Sequence, residues 1–391
     1  MPDGEKTTTV QIVGSIHDVP AAEWDACAGT DNPFLSHAFL AALEDSGSAC
    51  AQTGWLPRHL VIADAGRRAM GGRTVGCAPL YLKSHSYGEY VFDWGWAEAF
   101  QRAGGRYYPK LQAAVPFTPV TGPRLLTRAD APTGTAEALA MAMVELARQL
   151  GVSSLHVTFN SEEEAGLFTR MGFLPRIGQQ YHWRNEGYSC FDDFLANLSS
   201  RKRKAVRKER AEAAGHGVRI RPLIGDIEPR HWDAFHRFYL DTVERKWAHV
   251  YLSRDFFTRL GATMADKVLL ILAETEDGEP VGGALNLVGR DALYGRYWGS
   301  AVDYRFLHFE ACYYRAIGFA IANGLSRVEA GAQGAHKIQR GYLPVATHSA
   351  HWIAEPGLRQ AVARFLDSER PAVAAEIAEL ASGSPFRRGG C

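Results

Sequence analysis

The segment from Arg327 to Trp352, RVEAGAQGAHKIQRGYLPVATHSAHW, concentrates side chains able to do acyl chemistry: His336, Lys337, Arg340 and Tyr342. Amide formation from an activated ester or thioester needs a neutral amine to attack and a group to hold the developing oxyanion. A lysine or a tyrosine can do the holding. Glu329 in the same segment and Glu310, at the start of the preceding long helix, are carboxylates that would accept the amine proton or tune the lysine. Arg296, Tyr297 and Trp298, on the strand before that helix, complete the candidate set for this half of the chain.

An internal comparison singles out the basic residues. The stretch from Leu155 to Trp183 ends in a close copy of the later one, with Gly172-Phe173-Leu174-Pro175 and His182-Trp183 returning as Gly341-Tyr342-Leu343-Pro344 and His351-Trp352. The offset is 169 in both places (341 − 172 and 352 − 183), and at that offset Lys337 is matched by Phe168. The copy keeps the glycine, leucine and proline and lacks the lysine, so catalysis is expected in the second copy.

A second concentration of charge is the run Arg201, Lys202, Arg203, Lys204, Arg207, Lys208 and Arg210, opposed only by Glu209. On a helix Arg203 and Arg207 share a face, as do Lys204 and Lys208, which makes a positive strip suited to a polyanion. The alternative is a solvated helix whose Leu195, Leu198 and Val206 touch the core. A third region, Asp93 to Leu126, is aromatic and rich in Pro and Gly. Its Trp94, Arg106 and Lys110 suit a polar acceptor with an anionic end, or else the region packs between the two copies.

These residues need elements to position them. Helical and strand periodicities give antiparallel strands, then helix (Thr135 to Leu150), strand (Ser154 to Phe159), helix (Glu162 to Arg170) and strand (Gln179 to Arg184). The second half repeats that order, with strands at Val268 to Glu274, Pro280 to Val288 and Ala292 to Gly299 and a helix from Leu307 to Asn323. Tyr87-Gly88-Glu89-Tyr90 matches Tyr294-Gly295-Arg296-Tyr297, which predicts a strand over Ser86 to Phe92. The expected division is a first domain over 1–188 and a second over 189–391, with a basic helix over 192–214. A C-terminal helix over 358–380 is expected to pack on the second domain.

Composition limits the alternatives. A chain of 391 residues suits two domains. Lys+Arg and Asp+Glu are both 43, so the net charge is zero and any electrostatic partner must be met by a local patch. The six cysteines form no CxxC and no repeated spacing, and His348 and His351 point to opposite faces of a strand, so no metal is expected. The first twenty residues are polar and no apolar run is long enough to cross a bilayer, so the expectation is a cytoplasmic protein.

Strand hairpins followed by helix, strand, helix, strand is the order of the GNAT acyltransferase fold, and the chain resembles the FemAB-like family of N-acyltransferases, related to the Fem-type aminoacyltransferases of peptidoglycan cross-bridges. The residues carrying the resemblance are Asp31-Asn32-Pro33-Phe34-Leu35-Ser36, Pro79-Leu80-Tyr81-Leu82-Lys83, SHSYGEYVFDWGWAEAF, Ser199 to Lys204 and EAGAQGAHK. The resemblance implies an α/β (α+β) fold of tandem duplicated GNAT domains with mixed sheets. It also implies that Lys337 with Gly341-Tyr342 stands where Fem-type enzymes place an active-site lysine after a phenylalanine. Here that phenylalanine is His336, either a base or a filler of the aromatic's space. The implied reaction joins an activated acyl group, from aminoacyl-tRNA or a carrier or CoA thioester, to a small-molecule or peptide amine, with tRNA or an acyl-carrier protein as the donor partner and no tightly bound cofactor. Two other readings stay open. One is a non-catalytic binder of cell-wall precursor or nucleic acid. The other is an acetyl-CoA-dependent N-acetyltransferase, against which stands the lack of glycine in Asp303 to Glu310, where such enzymes turn their backbone around a pyrophosphate.

Overall fold

A computed structural model describes residues 9–63, 73–245, 249–332 and 334–387. The glycines expected to turn the first hairpin, Gly66, Gly71 and Gly72, lie outside the described residues. The chain forms two compact units, one made of Met1–Gly178 with Thr347–Val373, the other of Gln179–Ala346 with Ala374–Cys391. This differs from the expected division at 188/189, because the last strand of each copy crosses from one unit to the other.

In chain order the first unit contains β1 (Val10–Val13), α1 (Ala21–Ala28), α2 (His37–Asp45), β2 (Trp55–Pro57), β3 (His59–Ala63), β4 (Thr74–Ala78), β5 (Leu80–Lys83), α3 (Trp94–Arg102), β6 (Lys110–Ala113), β7 (Leu126–Thr127), α4 (Thr135–Gln149), β8 (Ser154–Asn160), α5 (Glu162–Arg170) and the start of β9 (Leu174–Arg184). Local chemistry sets several boundaries. Ser36 caps α2 by accepting from the Phe39 N–H at 3.3 Å, and Ser161 caps α5 from Glu164 at 3.2 Å. Strands β1, β3, β4 and β7 form one antiparallel sheet. In the other, β2, β5 and β6 are antiparallel neighbours and β6 runs parallel to β8. The segment expected as a strand over Ser86 to Phe92 is instead a loop. Lys110–Ala113, inside the aromatic insertion, takes the place beside β8. The Tyr87–Tyr90 match to Tyr294–Tyr297 is therefore one of sequence and not of position in the sheet. Apolar faces of β3 to β6 and β8 pack on α4 and α5 around Leu80, Leu111, Met143, Val157 and Phe168.

The second unit continues with α6 (Phe191–Asn197), α7 (Ser200–Ala214), β10 (Val218–Ile224), α8 (Pro229–Arg245), α9 (Arg254–Thr263), β11 (Val268–Thr275), β12 (Pro280–Val288), β13 (Ala292–Ser300), α10 (Leu307–Phe309), α11 (Arg315–Ala322), β14 (Arg327–Glu329), β15 (Leu343–Ile353) and α12 (Pro356–Ser382). The expected basic helix over 192–214 is two helices, broken where Leu198 and Ser199 are extended. Strands β10 to β13 are antiparallel, β14 runs parallel to β13, and the end of β9 pairs antiparallel with β14. The end of β15 returns to the first unit and pairs with β8, His351 opposite His156. The C-terminal helix, expected on the second domain, belongs to the first unit as far as Val373.

Candidate active site

Two local features of the second unit place the sequence-derived candidates. Between α10 and α11 the helix widens into a π turn, Glu310–Tyr314, a form enriched at functional sites. Between β14 and β15 the chain makes a 3-10 helix, Ala335–Arg340, bounded by Gly334 (φ +99°) and Gly341 (φ +91°). A Cβ on Gly334 would lie 2.4 Å from the His336 ring, so only glycine lets that imidazole fold over the loop.

His336 is exposed, yet firmly placed. Its Nε2 shares a hydrogen bond of 3.0 Å with the Tyr313 hydroxyl, and its ring stacks on Phe309 at 5.5 Å. Partial desolvation against its packed neighbours, then the cations of Arg340 and Lys337, lower its pKa, so the imidazole is the neutral base at neutral pH. Burial raises the Tyr313 phenol well above its usual range, which keeps it protonated. Arg340 is buried and donates to both oxygens of Glu209 at 2.8 to 3.1 Å and to the His336 carbonyl at 2.8 Å, with its guanidinium 3.4 Å from the Phe309 ring centre. Expected as a substrate contact, Arg340 is an internal brace for His336. Tyr342, fully buried, donates to the Tyr313 carbonyl at 3.3 Å and braces the same turn.

Lys337 is buried rather than displayed. Its Nζ donates to the Ala330 carbonyl at 2.5 Å and lies 5.6 Å from the Tyr181 ring centre. Glu329, next to that carbonyl, is wholly buried and takes Arg327 at 3.1 Å, Arg296 at 3.6 Å and His182 at 3.9 Å. Arg296, expected to meet substrate, is thus part of a buried ion cluster. Burial pushes His182 down to about 4, and its imidazole stays neutral there. Glu310, expected as an acid or base, is buried between Arg210 at 3.0 Å and Arg315 at 2.9 Å. Trp298 reaches the His336 group through His308, at ring distances of 5.4 and 6.3 Å. Tyr297 sits elsewhere, against Tyr239 at 5.7 Å and Phe257 at 6.4 Å.

On α7, Arg201, Lys204, Arg207 and Lys208 are exposed and Arg203 partly so. Arg207 has Asp192 3.7 Å away, both open to solvent, while Lys202 bonds Gln339 of the 3-10 helix. Glu209, the acid within the basic run, receives Tyr314 as well as Arg340 and ties α7 to the His336 group. Sequence reasoning passed over Glu209, Tyr313 and Phe309. The only available signal was that Glu209 interrupts a run of like charge.

In the first unit, Trp94 begins α3, and both it and Arg106 are exposed. Lys110, expected to face a ligand, is completely buried. Among the described residues no cluster of three or more histidine, cysteine or carboxylate side chains could hold a metal ion, and no helix is long and apolar enough to cross a membrane.

A family model, FemAB-like, described as peptidoglycan biosynthesis/recognition, matches residues 15–388. The chain belongs to the FemAB-like family. No curated protein sequence matches it. Among solved structures, FemX is similar over 88% of this chain and 98% of its own at 12% identity and a TM-score of 0.55. The C-terminal domain of a putative lysylphosphatidylglycerol synthetase from Agrobacterium fabrum (9% identity, 89% and 95% covered, TM-score 0.53) and L-PGS from Bacillus licheniformis (11%, 86% and 98%, 0.52) share the fold. The architecture is a tandem GNAT fold, as the resemblance implied, and the family is one of acyl and aminoacyl transferases.

Proposed function

We propose that this FemAB-like chain transfers an acyl or aminoacyl group from an activated ester or thioester to an amine, with His336 as the proton acceptor. The observation that carries this reading is an exposed imidazole kept neutral and held by Tyr313, Phe309 and Arg340 at the place where the first copy has the buried Leu167. The acceptor ammonium first loses one proton to solvent; as the neutral amine nitrogen bonds to the acyl carbon, His336 takes a second proton from it. The carbon–oxygen or carbon–sulfur bond to the donor breaks, and the leaving atom recovers the proton from His336. Lys337 orders the loop that would hold the oxyanion. The exposed cations of α7 suit the phosphates of an aminoacyl-tRNA donor, and the reaction needs no resident cofactor. The setting would be cytoplasmic, where charged tRNA is found.

The purified chain, given charged tRNA or acyl thioesters with candidate amines, should form an amide detectable by mass spectrometry. His336→Gln should lower kcat by ~10²- to 10⁴-fold with an unchanged circular dichroism spectrum. Undiminished turnover by this variant would remove His336 from the mechanism.

A further inference from the structure

A pocket of ≈ 380 Å³ lies wholly in the first unit, where the function proposed above uses nothing. One wall is a single stripe of α12, formed by Leu358, Ala361, Val362 and Phe365. Across from it stand Phe92, just before α3, and Trp96 and Ala99 on α3. Phe92 is 59% and Phe365 45% exposed. Apolar surface of that kind ordinarily collapses or marks a binding site.

The wall carrying Phe92 is held from behind. The fully buried Lys110 uses its three protons on Ser86 Oγ at 2.7 Å, Glu89 Oε2 at 2.8 Å and the Asp93 carboxylate, three points on one loop. Lys83 donates to the Tyr87 carbonyl of the same loop at 3.1 Å. Arg176 fixes its end, donating through Nη1 to the Phe92 carbonyl at 2.7 Å. Trp96 is set between the His351 ring and the Arg176 guanidinium, each at 5.0 Å. Enclosing four ionisable groups without solvent is a costly way to stabilise a fold, and here it keeps a concave surface open.

We propose that this pocket binds one free medium-length acyl chain. The stripe from Leu358 to Phe365 runs about 10 Å along the helix, long enough for roughly eight methylenes and too short for a partner helix. The single charged group in the lining is Arg176. Glu369 takes its Nε and one Nη2 proton at 2.8 and 2.7 Å, and Phe92 takes one Nη1 proton. One N–H on each terminal nitrogen remains for the carbonyl or carboxylate end of the chain. Ion pairs of both signs, Glu98–Arg102 and Asp367–Arg370, stand on the two helices. Neither helix carries the basic excess that an anionic bilayer selects, so the source is a chain in solution.

Titration calorimetry of the full chain with decanoate should show saturable binding of one molecule per chain. Ala361→Trp, at an exposed position, should fill the pocket and weaken binding at least tenfold without lowering Tm. Gly95→Leu should do the same, since a Cβ there meets nothing within 4 Å. Absence of saturable binding, or equal affinity in both variants, would overturn the proposal. Co-sedimentation with phosphatidylglycerol vesicles without uptake of decanoate would replace the free chain by a bilayer and overturn it as well.

Discussion

The two units carry buried polar centres at matching places, and they use them differently. His156 on β8 faces His351 on β15, and Glu329 on β14 faces His182 on β9. These are equivalent positions of the duplicated unit, offset by 173 (329 − 156) and 169 (351 − 182). In the first unit the two imidazoles share a bond of 2.6 Å, and burial pushes His156 down to about 3. Beyond them Lys110, Glu89 and Asp93 close a cluster that is shut off from solvent. In the second unit the carboxylate draws in Arg327 and Arg296, and the adjoining turn displays His336. Duplication kept a scaffold with a polar strand pair at its centre. One copy then used its ions to hold a loop, the other to set a base at the surface.

Breaking the closed cluster should have the largest effect on stability. Lys110→Met leaves Glu89 and Asp93 buried without their cation, and urea unfolding should show a loss of about 3–5 kcal/mol. A loss below about 1 kcal/mol would mean that the cluster is not closed.

The imidazoles supply a pH signature. His156, His351 and His182 all have folded pKa values below that of the unfolded chain. The folded state therefore binds fewer protons between the two values, and stability falls as pH drops from about 6.5 towards 4. Glu89, pushed up to about 7 by burial, works the other way over part of that range. Urea midpoints followed against pH should decline on acidification, and His156→Asn should flatten the decline. A pH-independent midpoint in the parent chain would contradict the buried neutral imidazoles.

A smaller effect is expected at Glu209. Glu209→Gln keeps the shape but removes the charge holding Arg340, and should cost about 1–2 kcal/mol. Because Arg340 braces His336, the variant should also move the acidic limb of the kcat–pH profile, which a purely structural role would leave in place. Least affected should be Arg207→Ala, whose solvent-exposed pair with Asp192 is worth within about 0.5 kcal/mol in thermal unfolding.

The repeat was legible in the sequence because scaffold positions reuse the same types: Gly172 and Gly341 both have positive φ (+83° and +91°), which glycine alone adopts without strain. The difference at Phe168 and Lys337 was legible for the same reason. Identity of motif was a poorer guide to position. Tyr87–Tyr90 looks like Tyr294–Tyr297, but Lys110–Ala113 has taken the strand place, since register is decided by the neighbours a strand pairs with.

Length, charge balance, duplication, the fold family and the segment holding His336 and Lys337 were all determined by the sequence itself, because they rest on local pattern and composition. Only the tertiary structure decided which polar residues face solvent. Lys110, Arg296 and Glu310 look like site residues along the chain and are internal ions once folded, with partners 5 to 100 residues away. The exchange of β9 and β15 between units belongs to the same class, for a strand's period shows that it will pair and not with which sheet.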